Sequence, residues 1–365
     1  MASRIMRVFT FLRFMRQILK SSPADLDWIQ SQGLLAVKLA QIFALRSDLI
    51  SVEKCRQLQQ LYQHASSIPS EDVFRNIEQR APEGFIDAFE HIDDVPLAAA
   101  SVGQVHRARL KDGQEVVIKV IKAQNEKTFR RDVNRMRRWL RVFLIFMPKL
   151  RKVGNPVALL NHVADYTTRE LDLRNEIKGA EELLRIKEEV SGNFQMDLLR
   201  FPKYYGELSN KDILVSEFVR GDSLEDGIEA GSLTWSTLLE LFRIHGAYLF
   251  GIGTFHGDLH PGNCIIDEDG KFVFIDNSAI CHAPDHVNKS LFTFFKHLSD
   301  HEFEQAFTSL LGLSEKELHQ EDTTAYMSQM ATIYHDFEMK TVGEQSLTQI
   351  TVSYTHLRAH ETPVN

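Results

Sequence analysis

The stretch His256-Gly257-Asp258-Leu259-His260-Pro261-Gly262-Asn263, followed by the apolar run Phe272-Val273-Phe274-Ile275 and then Asp276, decides how this chain is read. Phosphoryl transfer asks little covalent chemistry of a protein. It needs a carboxylate beside the accepting hydroxyl and oxygen ligands for the magnesium ions that neutralise the phosphates. Asp258 and Asn263 stand five apart, and Asp267-Glu268-Asp269-Gly270 is a turn signal joining two apolar strands ahead of Asp276. Three substrate- or metal-facing positions thus fall in one register, a spacing that a polar surface loop does not require.

Such a site also needs a cation for the phosphates of ATP. The segment Gln114–Ile121 reads as a β-branched strand with Val117 and Lys119 on one face, preceded by Ser101–Leu110 through the turn Lys111-Asp112-Gly113, so the two form a hairpin. A lysine in mid-strand between Ile118 and Val120 is costly to bury unless it meets an anion. Lys119 is accordingly assigned to the α- and β-phosphates of a nucleotide, as the strand lysine of kinases is. The G-x-G-x-x-G that precedes such a strand in ordinary kinases is missing. Its place is taken by Pro96-Leu97-Ala98-Ala99-Ala100-Ser101, small enough for close backbone approach to a phosphate but stiffer than glycine.

With these residues in view the chain resembles the UbiB family of atypical kinases, also called aarF-domain or ADCK-type kinases. The segments that carry the likeness are Gly33–Leu49 (GLLAVKLAQIFALRSDL), Pro96–Leu110 (PLAAASVGQVHRARL), Val117–Val120 (VIKV), Glu170–Glu176 (ELDLRNE), His256–Asn263 and Phe274–Asp276. The resemblance implies an α+β fold: a bilobal protein-kinase-like structure with an N-terminal helical extension. Its divisions are residues 1–95 for the extension, 96–216 for an N-lobe with a helical insert, and 217–351 for an incomplete C-lobe. It further implies that Lys38 and Gln41 lie over the active site, with Glu170 and Asp172 as an acidic pair facing them. Glu176 becomes the helix-borne partner of Lys119. Ala98, Ala99, Ala100, Ser101, Val102, Lys119 and Glu217 take the nucleotide, Asn263 and Asp276 the Mg2+, and Asp258 orients the nucleophile. The function implied is that of an ATP-dependent kinase or ATPase supporting ubiquinone (isoprenoid quinone) biosynthesis or lipid homeostasis. Its partners are ATP, an isoprenoid lipid or quinone precursor, a lipid-biosynthesis complex and a peripheral membrane surface. The location implied is cytoplasmic or peripheral at a membrane, mitochondrial in a eukaryote. HGDLHPGN also resembles small-molecule phosphotransferases of the aminoglycoside and choline kinase type, and a non-catalytic nucleotide-binding scaffold is the third class.

The chain departs from the family pattern at three places: Ala40 stands at a usual glycine, Gly103 at a usual side chain, and Asn277-Ser278 follow the metal-binding Asp276. The helical spacing of the N-terminal segment puts Lys38 beside Gln41 on one face, with Leu35, Leu39 and Ile42 on another. The Leu and Ile spacing of residues 167–187 predicts a helix on which Asp172 and Glu176, four apart, share a face.

Composition sets the outer limits. A chain of 365 residues with 43% hydrophobic residues can bury a large core, and a net charge of −8 argues against a nucleic-acid partner. The charge is unevenly spread. Residues 1–20 hold Arg4, Arg7, Arg13, Arg16 and Lys20 and no acid, interleaved with Phe9, Phe11, Leu12 and Phe14. Eleven Lys/Arg between Lys122 and Lys152 face only Glu126 and Asp132, with Trp139, Phe143 and Phe146 among them. Basic amphipathic helices of this kind either lie on anionic lipid or pack their apolar side inward. Cys55, Cys264 and Cys281 show neither metal-ligand spacing nor a paired framework, which suits a reducing compartment. No run reaches the length of a spanning helix. Residues 352–365 read as the translation of a sequencing-library adapter and are set aside as non-biological, so the C-lobe is expected to be cut short.

Overall fold

The computed structural model describes residues 2–20, 22–44, 50–63, 67–100, 102–122, 126–146, 156–313 and 320–335. Ser101, residues 45–49 of the first family segment and the tail 352–365 lie outside the described residues.

Five helices come first: α1 (Ala2–Leu19), α2 (Leu26–Ser31), α3 (Leu34–Ala44), α4 (Val52–Gln63) and α5 (Ser70–Arg80). Helix α1 is two-faced: Phe14 and Ile18 are buried, whereas Phe9, Leu12 and Leu19 are exposed. Helix α3 is apolar around most of its girth, with Leu34, Leu35, Leu39 and Ala40 all in the core, so Lys38 is an exception in need of an anion.

The first sheet contains β1 (Phe89–Ile92), β2 (Ala98–Ala99), β3 (Gly103–Leu110), β4 (Glu115–Ile121) and, after three helices, β6 (Ile213–Glu217). Its order is β1-β3-β4-β6, antiparallel throughout, with β2 added on β3. Side chains alternate across it. Val116, Ile118 and Val120 pack into one core with Val73 and Ile77 of α5. The opposite face turns Lys119, flanked by Ile121 and Leu214, toward a second core built from α3, α6 (Glu126–Phe146) and α7 (Pro156–Glu170). The N-terminal helices are therefore packed directly on the sheet face that carries Lys119.

The helix predicted over residues 167–187 is interrupted. Helix α7 ends at Glu170 and α8 (Arg174–Val190) begins four residues on. Leu171 and Leu173 are both buried, and the Leu173 N–H leaves the helical ladder to donate to the Lys211 carbonyl at 3.0 Å. A partner 38 residues away thus outcompetes continuation of the helix. Asp172 falls in the break and does not share a helical face with Glu176.

The second sheet runs β5-β10-β9-β7, from β5 (Leu199–Arg200), β7 (Gly221–Ser223), β9 (Cys264–Asp267) and β10 (Phe272–Phe274). The hairpin β9–β10 turns through the predicted Asp267–Gly270 segment, where Gly270 at φ +76° supplies the left-handed residue. A separate two-stranded ribbon pairs β8 (Thr254–His256) with β11 (Ile280–His282), His256 opposite Ile280. This ribbon positions the site: Asp258 follows one strand and Asp276 precedes the other. The Gly257 N–H to Ala279 carbonyl bond (2.6 Å) and the Ile275 N–H to Asn263 carbonyl bond (3.0 Å) lock the two segments side by side. Helices α9 (Leu224–Glu229), α10 (Trp235–Gly246), α11 (Asp285–Ser299), α12 (Phe303–Leu311) and α13 (Gln320–Tyr334) complete the described chain, the last three sharing a core around Phe294, Phe307 and Tyr326.

Candidate active site

Strand β4 delivers Lys119 into a cleft where two carboxylates meet it. Its Nζ lies 2.8 Å from Glu176 Oε2 and 3.0 Å from Asp276 Oδ2. Glu176 comes from the first turn of α8 and is buried; burial pushes its carboxyl up to about 7 against the opposing pull of Lys119. Burial disfavours the Lys119 ammonium too, yet Asp276 and Glu176 outweigh it and hold the lysine charged. Asp276 shows the same contest with the opposite outcome. Burial would raise it, but Lys119 and the Ser278 hydroxyl, 3.1 Å from Oδ1, bring it down to about 2.

Asp276 sits at φ +53°, in the left-handed region that few side chains adopt. The next residue explains how the turn is held. Asn277 is fully buried and its Nδ2 donates to the Phe274 carbonyl (2.9 Å) and the Tyr204 hydroxyl (3.2 Å). Its own carbonyl presses on α8 at Gly179, where an added Cβ would lie 1.8 Å from that oxygen. Backbone meets backbone there, so neither side can yield cheaply. Gly179→Ala is expected to cost about 1–3 kcal/mol by overpacking, and to displace Asp276 as well. Chemical denaturation checks the first effect and nucleotide binding the second. A stability change under a few tenths of a kcal/mol would show that the contact relaxes freely.

The loop after β8 is organised by its own side chains. Asn263 is buried and its Nδ2 donates to the Asp258 backbone carbonyl at 3.0 Å, which leaves the amide oxygen as the end a cation would take. His260 Nδ1 accepts from the Gly262 N–H (3.1 Å), and His256 Nδ1 from the Asp258 N–H (3.2 Å). Burial lowers the His256 pKa, in keeping with a neutral ring that accepts. The donor set at Asn263 and Asp276 is all oxygen, one amide and one carboxylate. That fits magnesium, which keeps several waters and binds through one or two carboxylates plus phosphate oxygens.

The N-terminal helices reach the same cleft. Lys38 Nζ lies 2.8 and 2.7 Å from the two oxygens of Glu170, both side chains being largely buried. One turn before Glu170 on α7, the Tyr166 hydroxyl donates to Asp258 Oδ2 at 2.7 Å, with the Lys38 ammonium 5.4 Å from its ring centroid. Tyr166 was missed in the sequence, where an aromatic residue on a helix is indistinguishable from core. Its i, i+4 relation to Glu170 is the signal that could have found it.

Lys119, Glu176, Asp276, Asn263, Asp258, Glu170 and Lys38 are thus brought together, and four expected site residues are not. Gln41 is buried and donates from Nε2 to the Leu61 carbonyl (3.0 Å), tying α3 to α4 rather than joining Lys38 on Glu170. Asp172 forms a fork with Arg174 (2.8 and 2.6 Å), because the helix break turns it out of the α7 face. Glu217 accepts from Arg200 Nη1 (3.1 Å) and the Lys203 N–H (3.1 Å) while Arg200 also holds Asp267 (2.6 Å). Its carboxylate therefore links the two sheets. Val102 is buried in the helical core. Of the alanines, Ala98 and Ala99 form β2, paired with Val105 and Gln104 rather than lying in a loop, and the Ala100 N–H closes the following turn on the Gly103 carbonyl (2.9 Å). Lys122 Nζ clamps the Ala100 carbonyl at 2.6 Å.

A strand lysine paired to a helix glutamate, beside an Asp–Asn loop and a second aspartate held by a short ribbon, defines a kinase-like site. Residues 60–310 match the ABC1 atypical kinase-like domain, and the chain belongs to that family. It is 31% identical over 283 residues to a probable protein kinase UbiB of Marinobacter nauticus, covering 73% of this chain and 50% of that one. A second probable protein kinase UbiB, from Azotobacter vinelandii, is 29% identical over 285 residues, 73% of this chain and 51% of the relative. The chain thus spans about half the length of the curated relatives it matches. Among solved structures, that of Rv3197 from Mycobacterium tuberculosis in complex with erythromycin superposes with a TM-score of 0.53 at 18% identity, covering 98% of this chain and 93% of that one. That likeness supports the bilobal kinase-like fold with its N-terminal helices.

Proposed function

We propose that the chain is a magnesium-dependent ATPase or phosphotransferase of the UbiB type, acting in isoprenoid-quinone (ubiquinone) biosynthesis or lipid homeostasis. The observation that carries the catalytic part is the largely buried Lys119, paired to the buried Glu176 and to the half-buried Asp276 and set beside Asp258 and Asn263. A scaffold has no need of a lysine held charged between a buried acid and a second acid that opens on the cleft. In this reading Glu176 steers Lys119 to the α- and β-phosphates, and Asn263 and Asp276 would hold magnesium, which would supply charge neutralisation at the phosphates. Asp258 orients the attacking hydroxyl or water. Position and charge supply most of the rate in such transfers. Replacing the orienting carboxylate, Asp258→Asn, is expected to lower Mg-dependent phosphate release from ATP by about 10²-fold. Equal rates in parent and variant would overturn the catalytic reading.

The lipid part draws on the relatives' name and on the basic helices. Among the described residues no helix is long and apolar enough to cross a membrane. Helix α6 exposes Arg138 and Arg141 next to Val142 and Ile145, the latter 69% exposed, whereas Arg135 is paired to Asp132 at 2.9 Å. A cationic face rimmed with apolar residues fits an anionic lipid surface. Charge reversal, Arg138→Glu with Arg141→Glu, is expected to reduce co-sedimentation with phosphatidylglycerol-containing vesicles at least fivefold. Undiminished binding would remove α6 from the membrane-facing surface.

A further inference from the structure

Asp258 accepts a hydrogen bond from a hydroxyl of the chain itself. Tyr166 Oη donates to Asp258 Oδ2 at 2.7 Å, the bond that an accepting hydroxyl makes to the carboxylate that orients it. Tyr166 lies on α7, whose last residue, Glu170, is fixed by Lys38 of α3, so the phenol is delivered by two helices packed into one core. Burial and the charges of Glu170, Asp258 and Asp276 all press on this phenol and keep it protonated, which places it within the field of the proposed metal ligand as well. The Lys38 ammonium lies over the ring, 5.4 Å from its centroid. The hydroxyl also hydrogen-bonds Glu170, so it is held between that carboxylate and the one that defines the acceptor position, a placement that packing alone does not require.

On the footing of the nucleotide-dependent function proposed above, we infer that Tyr166 is an intramolecular phosphoacceptor, the first hydroxyl presented to this active site. The step balances with a nucleoside triphosphate and magnesium as co-reactants. Tyr166 Oη forms a bond to the γ-phosphorus and the bond from that phosphorus to the β,γ-bridging oxygen breaks. The diphosphate leaves, and the phenolic proton passes to Asp258 and then to solvent. No pre-formed phenolate is required, because in a loose transition state the nucleophile sheds its proton late. The product is a dianion among Glu170, Asp258 and Asp276, so a second turnover onto the same residue is barred and the α7 face is driven from the cleft by like-charge repulsion.

The test uses the full chain with Mg·ATP. Intact mass and phosphopeptide mapping are expected to show up to one phosphate per chain, on Tyr166. Tyr166→Phe, which keeps the ring, is expected to lose at least tenfold of the label, with far-UV circular dichroism and thermal unfolding confirming that it folds. Because the transfer is within one molecule, the labelled fraction at fixed time is expected to be independent of protein concentration over a tenfold range. For the same reason an Asp258→Asn chain is expected to stay unlabelled when mixed with the parent. Mg·ATP that stabilises the parent without phosphorylating it, or that places the phosphate elsewhere, overturns this inference and leaves the nucleotide reading standing. Label appearing on the Asp258→Asn chain overturns the intramolecular step. No stabilisation and no label overturns both.

Discussion

Asp276→Asn is expected to abolish the stabilisation that Mg·ATP gives the parent chain while leaving the unliganded fold intact. Ligand at a hundred times its dissociation constant adds about 2.7 kcal/mol, which for 365 residues is roughly 3–4 °C in Tm. The substitution removes one formal charge from the donor set at the point where the cation would sit. An amide oxygen is a poor replacement for a carboxylate toward a hard dication. The fold is expected to tolerate the change for a conformational reason: position 276 is left-handed at φ +53°, and asparagine is among the few side chains that adopt that region readily. Lys119 keeps Glu176 at 2.8 Å, so its charge is not abandoned. Asp258→Asn serves as the comparison, since the catalytic-loop carboxylate orients the nucleophile and is not a magnesium ligand in this reading. It is expected to retain most of the shift. An unchanged shift in Asp276→Asn would place the metal elsewhere or remove it from the site.

How much of this was legible in the chain depends on how far each partner lies in sequence. Asp258, Asn263 and Asp276 could be read because their geometry is local. A five-residue loop, a hairpin with Gly270 at its turn and a short ribbon fix them, and each leaves a spacing in the sequence. Lys119 was legible from alternation, since Val116, Ile118 and Val120 claim the buried face and force the lysine to the other. Glu176 entered only through the family resemblance, and nothing in its own neighbourhood announces that it meets a strand 57 residues earlier.

The misplaced residues share a cause. Leu and Ile spacing runs unbroken through Leu171 and Leu173, so the sequence reads as one helix. The break comes from the Lys211 carbonyl and from burial of both leucines against a core contributed by α3 and β6. Asp172 then finds Arg174 instead of the Lys38 side. Glu217 is turned away by Arg200, and Gln41 by a carbonyl on α4. Each is a polar group whose partner is set by tertiary packing, which periodicity does not encode. The alanine segment illustrates a subtler failure: missing glycines were read as a stiff loop, whereas pairing with β3 makes part of it a strand.

Lys119→Met is expected to destabilise the chain by about 2–4 kcal/mol at pH 8, the cost of removing the cation beside the buried Glu176, lessened by the solvent that screens the half-buried Asp276. The geometry makes the loss unusually asymmetric. Lys119 lies between two carboxylates, so deletion leaves the buried Glu176 facing the half-buried Asp276 with like charge. Glu176 is the group that yields. Its carboxyl already stands at about 7 with the lysine present, raised by burial from its ordinary 4.5, and withdrawing the cation moves it higher still. A carboxyl whose folded-state pKa exceeds its unfolded value favours the folded state at low pH and loses that advantage as pH rises through the folded pKa. The penalty of Lys119→Met is therefore expected to shrink at pH 6, where a protonated Glu176 can remain buried as a neutral acid, and to be largest above pH 7. Lys119→Met combined with Glu176→Gln carries the neutral form permanently, and is expected to recover much of the loss at pH 8 with little dependence on pH. Urea denaturation of the three proteins at pH 6 and pH 8 measures both quantities. A loss below about 1 kcal/mol at pH 8 would mean that water reaches the pair, and a loss independent of pH would remove Glu176 as the residue that absorbs the change. Neither variant is expected to be stabilised by Mg·ATP, because both lack the cation for the α- and β-phosphates. The double variant thus separates the two tasks of Lys119, compensation of the two acids and contact with the nucleotide.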